Sequence, residues 1–311
     1  MPNTKPIYDT ICLIGLGLIG SSIGHAVKRG GLAKHISGYA RSEETRQIAK
    51  KIGFVDSIHD SAASAAQGAD LIIICAPVGA MESITKEIAP VLKTGATVTD
   101  VGSVKQAVIA AIEPHLPDNV NFVPAHPIAG SEKSGPESGF AELFQDRWCI
   151  LTPVESASIE SVELLEKFWK ALGSSVEVMS AKHHDSVLAI TSHLPHLIAY
   201  SIVSTASDLE DVTQSEVIKF SAGGFRDFTR IAASDPTMWR DVFLTNKEAV
   251  LEMLGRFSED LSALQRSIRW SDGDALFDLF TRSKETRNNI IEAGQDTDAP
   301  DFGRGHISEK E

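Results

Sequence analysis

The chain alternates short, almost wholly apolar runs with stretches in which apolar residues recur every three or four positions. Residues 10–14, 35–40, 69–76, 96–101, 121–124 and 148–152 read as strands, with 174–179 as a further one. Amphipathic segments such as 42–52 and 78–92 lie between the earlier runs. Strands apolar along their whole length and spaced by helices predict βαβ units, with a parallel sheet covered on both faces. The expected fold class is therefore α/β, with a doubly wound domain over residues 1–180. Beyond about residue 180 the strand-like runs stop, and helical periodicity fills 181–207, 237–268 and 274–293. Leu251, Leu254, Phe257, Leu261 and Leu264 show that spacing. An all-helical second domain is expected over 181–293. Residues 294–311 are rich in glycine and acids with little to bury, and read as a disordered tail.

Composition narrows the class. In 311 residues, 29 Lys and Arg face 42 Asp and Glu, a formal charge of −13. That balance lacks the positive field nucleic-acid binding draws on, and no basic run supplies one locally. Cys12, Cys75 and Cys149 stand singly in apolar runs, which indicates neither a disulfide framework nor a thiolate zinc site. The N-terminal residues lack the apolar core of a signal peptide, and no apolar run reaches the ~18 residues of a membrane span. The expectation is a soluble, cytoplasmic protein with no membrane or nucleic-acid partner.

The first candidate site is the turn after the first apolar run. Ile14 leads into Gly15-Leu16-Gly17-Leu18-Ile19-Gly20, and a helical pattern follows over 21–29. In this strand–GxGxxG–helix order the first glycine permits a tight turn, the second admits a pyrophosphate to the backbone, and the third lets helix and strand pack closely. The helix N-terminus adds N–H donors and a favourable dipole. This is the phosphate-binding turn of a Rossmann domain, with Leu18, Ile19 and, after the 69–76 run, Pro77 placed to line the dinucleotide. An NAD site carries Asp or Glu at the end of the second strand, ~20 residues on. Here the strand end reads Tyr39-Ala40-Arg41-Ser42, and Glu43 and Glu44 belong to the following helix. Arg41 and Ser42 suit a 2′-phosphate, so NADP is favoured over NAD, against the alternative that Arg41 is a solvated surface residue.

Polar groups interrupt apolar runs at further strand ends, where α/β sheets bind ligands. Asp100-Val101-Gly102-Ser103-Val104-Lys105 carries Ser103, which fits a helix N-cap as well as a functional hydroxyl. His126 precedes Pro127 at a strand end, where rigid backbone would hold an acid–base imidazole. His183-His184 is followed by Ser192-His193-Leu194-Pro195-His196. His193 and His196 have one-turn spacing without the glutamate of a zinc motif, so substrate recognition or packing is favoured over metal. Arginines recur between Gly223 and Arg240, and a guanidinium suits a substrate carboxylate or a helix-surface salt bridge.

Together these segments resemble the prephenate/arogenate (cyclohexadienyl) dehydrogenase family of tyrosine biosynthesis. The carriers are GLGLIGSS at 15–22, DVGSVK at 100–105, HPIAGSEKSG at 126–135, SHLPH at 192–196 and GGFRDFTRIAASDPTMWRD at 223–241. The resemblance implies hydride loss from a ring carbon to the nicotinamide and loss of the ring carboxylate as CO2. It assigns His126 as the catalytic base, Ser103 as its orienting partner and Arg230 as the ring-carboxylate ligand. It places His184, His193, His196 and Glu132 around the substrate. Gly223, Asp227 and Trp239 would form a helical-domain wall that in this family can come from the partner subunit, which implies a homodimer through the helical domain. Neither a fused mutase nor a regulatory module is expected after residue 290, and tyrosine, as an inhibitor, is expected to act at the active site. The alternatives are another Rossmann-plus-helical dehydrogenase of a small carboxylate, which would need a helical-domain lysine base, and a nucleotide-sensing protein without turnover.

Overall fold

The computed structural model describes residues 5–130, 133–209 and 219–292. The strand β1 (Tyr8–Ile14) is central, pairing in parallel with β2 (Ala33–Tyr39) on one side and β4 (Leu71–Ile74) on the other. With β3 (Ser57–Ile58), β5 (Thr97–Asp100) and β6 (Asn121–Phe122) the sheet order is β3-β2-β1-β4-β5-β6, all parallel. The order reverses beside β1, the switch point at which doubly wound sheets bind dinucleotides. Alternate residues of the central strands feed two cores. Ile11, Leu13, Leu71 and Ile73 pack on one face with Phe54, Phe144 and Trp169. Cys12, Ile14, Ile72 and Ile74 pack on the other with Met81, Val98 and Ile112. Full burial of such a side chain contributes roughly 1.5–3 kcal/mol, which explains why these strands are apolar throughout.

The helices α1 (Leu18–Gly30), α2 (Glu43–Ile52), α3 (Ala62–Ala66), α4 (Val78–Ile88), α5 (Lys105–Ile112) and α6 (Ile159–Ala171) are the crossovers and covers. Ser42 starts α2 by accepting a hydrogen bond from Thr45 N, and left-handed Gly53 stops it. The predicted 78–92 helix ends at Ile88, because Pro90 turns the chain into a short 3-10 segment, Ala89–Val91.

Two strand expectations are corrected. The 148–152 and 174–179 runs do not extend the parallel sheet. As β8 (Trp148–Leu151) and β9 (Ser175–Val178) they form a second sheet, β7-β8-β9, with β7 (Ala125–Pro127) antiparallel to β8. The 121–124 run likewise stops at Phe122. Pro124 has no N–H for the parallel ladder. Its carbonyl instead accepts Thr152 N at 2.9 Å, and the chain passes into the second sheet.

Beyond β9 the chain is helical. The helix α7 (Ala181–Leu188) runs through a π-helical turn (Ala189–His193) into α8 (Leu194–Asp208). This run is long and apolar enough, by length and composition, to cross a membrane. It carries the buried polar residues His184, Asp185 and His193, and α7 packs on α5. There follow α9 (Gly223–Thr229), a 3-10 turn (Arg230–Ala233), α10 (Pro236–Thr245), α11 (Lys247–Arg269) and α12 (Gly273–Glu292). The predicted 237–268 helix is interrupted at Asn246, which leaves helical geometry with its side chain buried. Residues through Leu251 form one compact unit. The second unit starts at Glu252 and comprises, among the described residues, the rest of α11 and α12, with Leu261, Ile268, Trp270, Phe277 and Phe280 exposed. The predicted tail over 294–311 lies outside the described residues.

At the end of β5 the Asp100 carboxylate and the Lys105 ammonium form an ion pair, both side chains wholly buried. Lys105 Nζ also donates to Ala125 O at 2.6 Å, and Asp100 Oδ1 accepts Ala125 N at 3.2 Å. Removing one partner strands the other charge in the interior. Asp100→Asn is expected to lower the unfolding free energy by about 3–5 kcal/mol in urea denaturation, and a loss below about 1 kcal/mol would refute this role for the pair.

Candidate active site

The glycine turn is shaped for a diphosphate. Gly15 has φ +104°, and a Cβ there would lie 2.4 Å from Cys75 O. A Cβ on Gly20 would fall 2.0 Å from Gly15 O, which fixes helix against turn. Gly17, by contrast, has nothing within 4 Å of a built Cβ, so its backbone faces open space. No side chain caps α1, and Ser21 and Ser22 turn their hydroxyls back to Gly17 O and Leu18 O, each at 2.7 Å. The first-turn N–H groups are thus left for an anion. Leu18 and Ile19 pack on the core beneath the turn. Pro77, at the N-cap of α4, follows the neighbouring strand. These residues fit a dinucleotide.

At the end of β2, Arg41 and Ser42 are exposed, and among the described residues no ion pair involves Arg41. Ser42 is the cap of α2, as its sequence position also allowed. Glu43 is held within its own helix by Arg46 and Gln47, leaving no carboxylate at the strand end. Arg46, which the sequence reading did not single out, donates to Ala40 O at 2.8 Å and holds this corner in place.

The ends of β1, β4 and β5 are in register, Ile14 beside Ile74 and Ile74 beside Asp100. The glycine turn and the Ser103 loop therefore leave the same end of the sheet with β4 between them, two strand spacings or about 10 Å apart. Ser103 is not the cap of α5; that position is Val104, and no side chain of its own segment caps the helix. The Asp185 carboxylate of α7 does so instead, accepting Lys105 N at 2.7 Å and Gln106 N at 2.9 Å.

His126 stands in the middle of β7, paired with Ile150, rather than at the strand end its sequence position suggested, and is central to a chain of side chains. Its Nδ1 lies 2.8 Å from His184 Nε2, and His184 Nδ1 lies 2.8 Å from Asp185 Oδ1. Asn246 Nδ2 donates to Asp185 O at 2.9 Å and lies 3.1 Å from His193 Nδ1. His126 is partly exposed. His184 and His193 are wholly buried, behind His126 rather than on an open surface. Burial, and then the charges of His184, Lys105 and His193, hold the His126 imidazole well below the ordinary range, so it is neutral near pH 7. Burial likewise lowers His184, against the hydrogen bond it donates to Asp185, and lowers His193 to about 4.

His196 stacks on Trp239, with ring centroids 3.6 Å apart and planes at 22°. Both residues come from one chain. The His196 Nδ1 lies 2.9 Å from Ser192 O, one turn upstream. Burial, and then the charge of Arg230, keep His196 low, which places Arg230 near it. Gly223 opens α9, and Asp227 lies on the same helix; this helix and the Arg230 turn both pack on α8. Tyr200 OH, donating to Ser234 O at 2.8 Å, secures that packing. Glu132 lies outside the described residues. Of the residues the sequence reading missed, Asp185 and Lys105 were adjacent to residues it named, whereas Asn246 gave no signal within a helical pattern.

A glycine turn at the switch point, with a neutral imidazole on β7 and a hydroxyl-bearing loop after β5, defines a dinucleotide-dependent oxidoreductase. The comparisons specify which. The family model described as the prephenate dehydrogenase nucleotide-binding domain matches residues 23–178, and that of the prephenate dehydrogenase dimerization domain matches 180–282. The chain belongs to the prephenate dehydrogenase family. It is 41% identical to a cyclohexadienyl dehydrogenase of Zymomonas mobilis, over 90% of this chain and 96% of that protein. It is 37% identical to a prephenate dehydrogenase of Bacillus subtilis, over 91% of this chain and 76% of the other. Its fold matches a prephenate dehydrogenase of A. aeolicus, solved with hydroxyphenyl propionate and NAD+, with TM-score 0.85 and 33% identity over 93% of this chain and all of that one.

Proposed function

We propose that this enzyme oxidatively decarboxylates prephenate, arogenate or both, in tyrosine biosynthesis. The observation that carries the reading is the His126 imidazole on β7, bonded to His184 and held neutral by burial, on a strand fastened through Ala125 to Asp100 at the end of β5. A nicotinamide dinucleotide held by the Gly15–Gly20 turn would supply the acceptor for the hydride of the hydroxyl-bearing ring carbon. His126 accepts the hydroxyl proton as the carbon–oxygen double bond forms. The ring carboxylate then departs as CO2, its bonding pair enters the ring, and the proton held by His126 returns to the oxygen as the phenol forms. Atoms and electrons balance, with no net proton change, and aromatisation drives the loss. Ser103 orients the hydroxyl or His126. Arg230 holds the ring carboxylate, and His196 with Trp239, Gly223 and Asp227 forms the wall beside it, while Glu132 belongs near the side chain. His184 and His193 support this wall from behind. A dehydrogenase using a helical-domain lysine as base finds no support: Lys182, Lys219, Lys247 and Lys284 are all solvent-exposed, whereas a lysine base needs burial to lose its proton near pH 7.

NADP is the proposed cofactor over NAD, supported by exposed Arg41 and by the absence of a strand-end carboxylate among the described residues. We assign nucleotide binding to residues 1–180 and substrate binding and dimerisation to 181–293. The exposed apolar residues Phe277, Phe280 and Trp270 suit a homodimer, with sedimentation at twice the 33.5 kDa chain mass as its check. Reduced Cys12, Cys75 and Cys149 agree with a cytoplasmic location, which cell fractionation tests.

His126→Asn should lower kcat by about 10²–10⁴-fold with little change in KM, as expected of an acid–base group. Arg230→Ala should chiefly raise KM. In the same steady-state assays on prephenate and arogenate, tyrosine should compete with the cyclohexadiene substrate. Near wild-type turnover by His126→Asn would overturn the mechanism. Arg41→Ala should reduce kcat/KM for NADP while sparing NAD; a wild-type preference for NAD would refute the cofactor assignment.

A further inference from the structure

The Asp185 carboxylate meets two parts of the site at once. Its Oδ1 accepts Lys105 N at 2.7 Å and faces His184 Nδ1 at 2.8 Å, while Oδ2 accepts Gln106 N at 2.9 Å. Lys105 and Gln106 begin the helix whose preceding loop carries Ser103. His184 Nε2 in turn lies 2.8 Å from His126 Nδ1. Asp185 is wholly buried and is itself anchored by Asn246, which donates to its carbonyl at 2.9 Å. We propose that Asp185 is the positioning residue of this site: through His184 it dictates which nitrogen of His126 carries the proton, and through α5 it sets the loop of Ser103. The inference rests on the reading of His126 as the base.

The direction of the hydrogen bonds follows from counting protons. Burial raises the Asp185 carboxyl, but hydrogen bonds from His184, Gln106 and Lys105 outweigh it and hold the group below the usual carboxylate range. An ionised carboxylate only accepts, so His184 Nδ1 carries a hydrogen and donates to it. A neutral His184 then has a bare Nε2, which must accept from His126 Nδ1–H. A neutral His126 is left with its lone pair on Nε2, the nitrogen turned away from the chain and available to a substrate hydroxyl. Without the anion the chain can run the other way, with His184 Nε2–H donating to His126 Nδ1 and the distal nitrogen protonated and useless as a base. When His126 takes up a proton, both of its nitrogens donate, and the new charge lies two hydrogen bonds from Asp185. The other titratable groups facing this pair are Lys105 on α5, Asp100 on β5, Cys149 on β8 and His193 on the helical run.

Asp185→Asn in the full-length enzyme tests the assignment. We expect kcat to fall by about 10–100-fold with KM for the cyclohexadiene nearly unchanged. The anion favours the charged imidazole, so its removal should move the acid limb of the kcat/KM profile to lower pH. Nitrogen-15 spectra of histidine-labelled protein should show His126 as the Nδ1–H tautomer in the wild type and lose that preference in the variant. His184→Gln separates the relay from the support of α5: in that background Asp185→Asn should add less than its single-variant loss. An unmoved acid limb, a wild-type Nε2–H tautomer or a fully additive double variant would each overturn the proposal. The tautomer is read without turnover, so it stands apart from the activity assays: a wild type inactive on both substrates would defeat the functional reading instead.

Discussion

The buried ion pair between Asp100 and Lys105 is the constraint on which the geometry of this protein hangs. Two opposite charges without solvent contact are costly to desolvate, and their attraction offsets that cost only when further hydrogen bonds satisfy both groups. Here those bonds all go to structures that must meet: Gly102 N at 2.6 Å and the N–H and C=O of Ala125. The end of the parallel sheet, the start of α5 and the strand of the second sheet that carries His126 are therefore fastened at one point. Apolar packing could have filled the same volume, but it would not have specified which backbone atoms face each other.

A protein with a formal charge of −13 must hold anions, and it does so by using its helix starts in different ways. The first turn of α1 has no side-chain cap and faces open space at Gly17, so its dipole is available to a ligand. The first turn of α5 is equally without a cap of its own, yet its N–H groups are filled by Asp185. One helix start thus serves binding and the other serves architecture. The Arg230 guanidinium near His196 then adds a local positive group on an otherwise repelling background.

Much of this was legible in the sequence, for identifiable reasons. The glycine turn is local: strand, turn and helix are contiguous, and the roles of Gly15, Gly17 and Gly20 follow from backbone sterics. The apolar strands of the first sheet announce themselves because both faces are buried. Strand partners were not legible, since β8 has the same apolar texture whichever sheet it joins, and the decision rests on the prolines flanking His126. The histidines could be named from their spacing, but not sorted. His183 is exposed and His184 buried although they are neighbours, a distinction set by which face of α7 meets α5. Asn246 was silent because its function depends on breaking a helix that its surroundings favour. Ser103 fitted the cap of a helix that takes its cap from 80 residues away.

The π-helical turn at Ala189–His193 also fixes an angular relation within the site. An ordinary helix advances 100° per residue, so one extra residue in a single turn rotates everything downstream by about that amount relative to everything upstream. His184 and Asp185 on the upstream side face α5, and His196 on the downstream side faces Trp239. The turn works as a phase shift that lets one continuous helical run present two differently directed sets of side chains. Deleting a single residue there would keep the composition and helicity of the segment while swinging His196 away from its indole. In this stretch the number of residues per turn shapes the candidate site as much as the histidines themselves do.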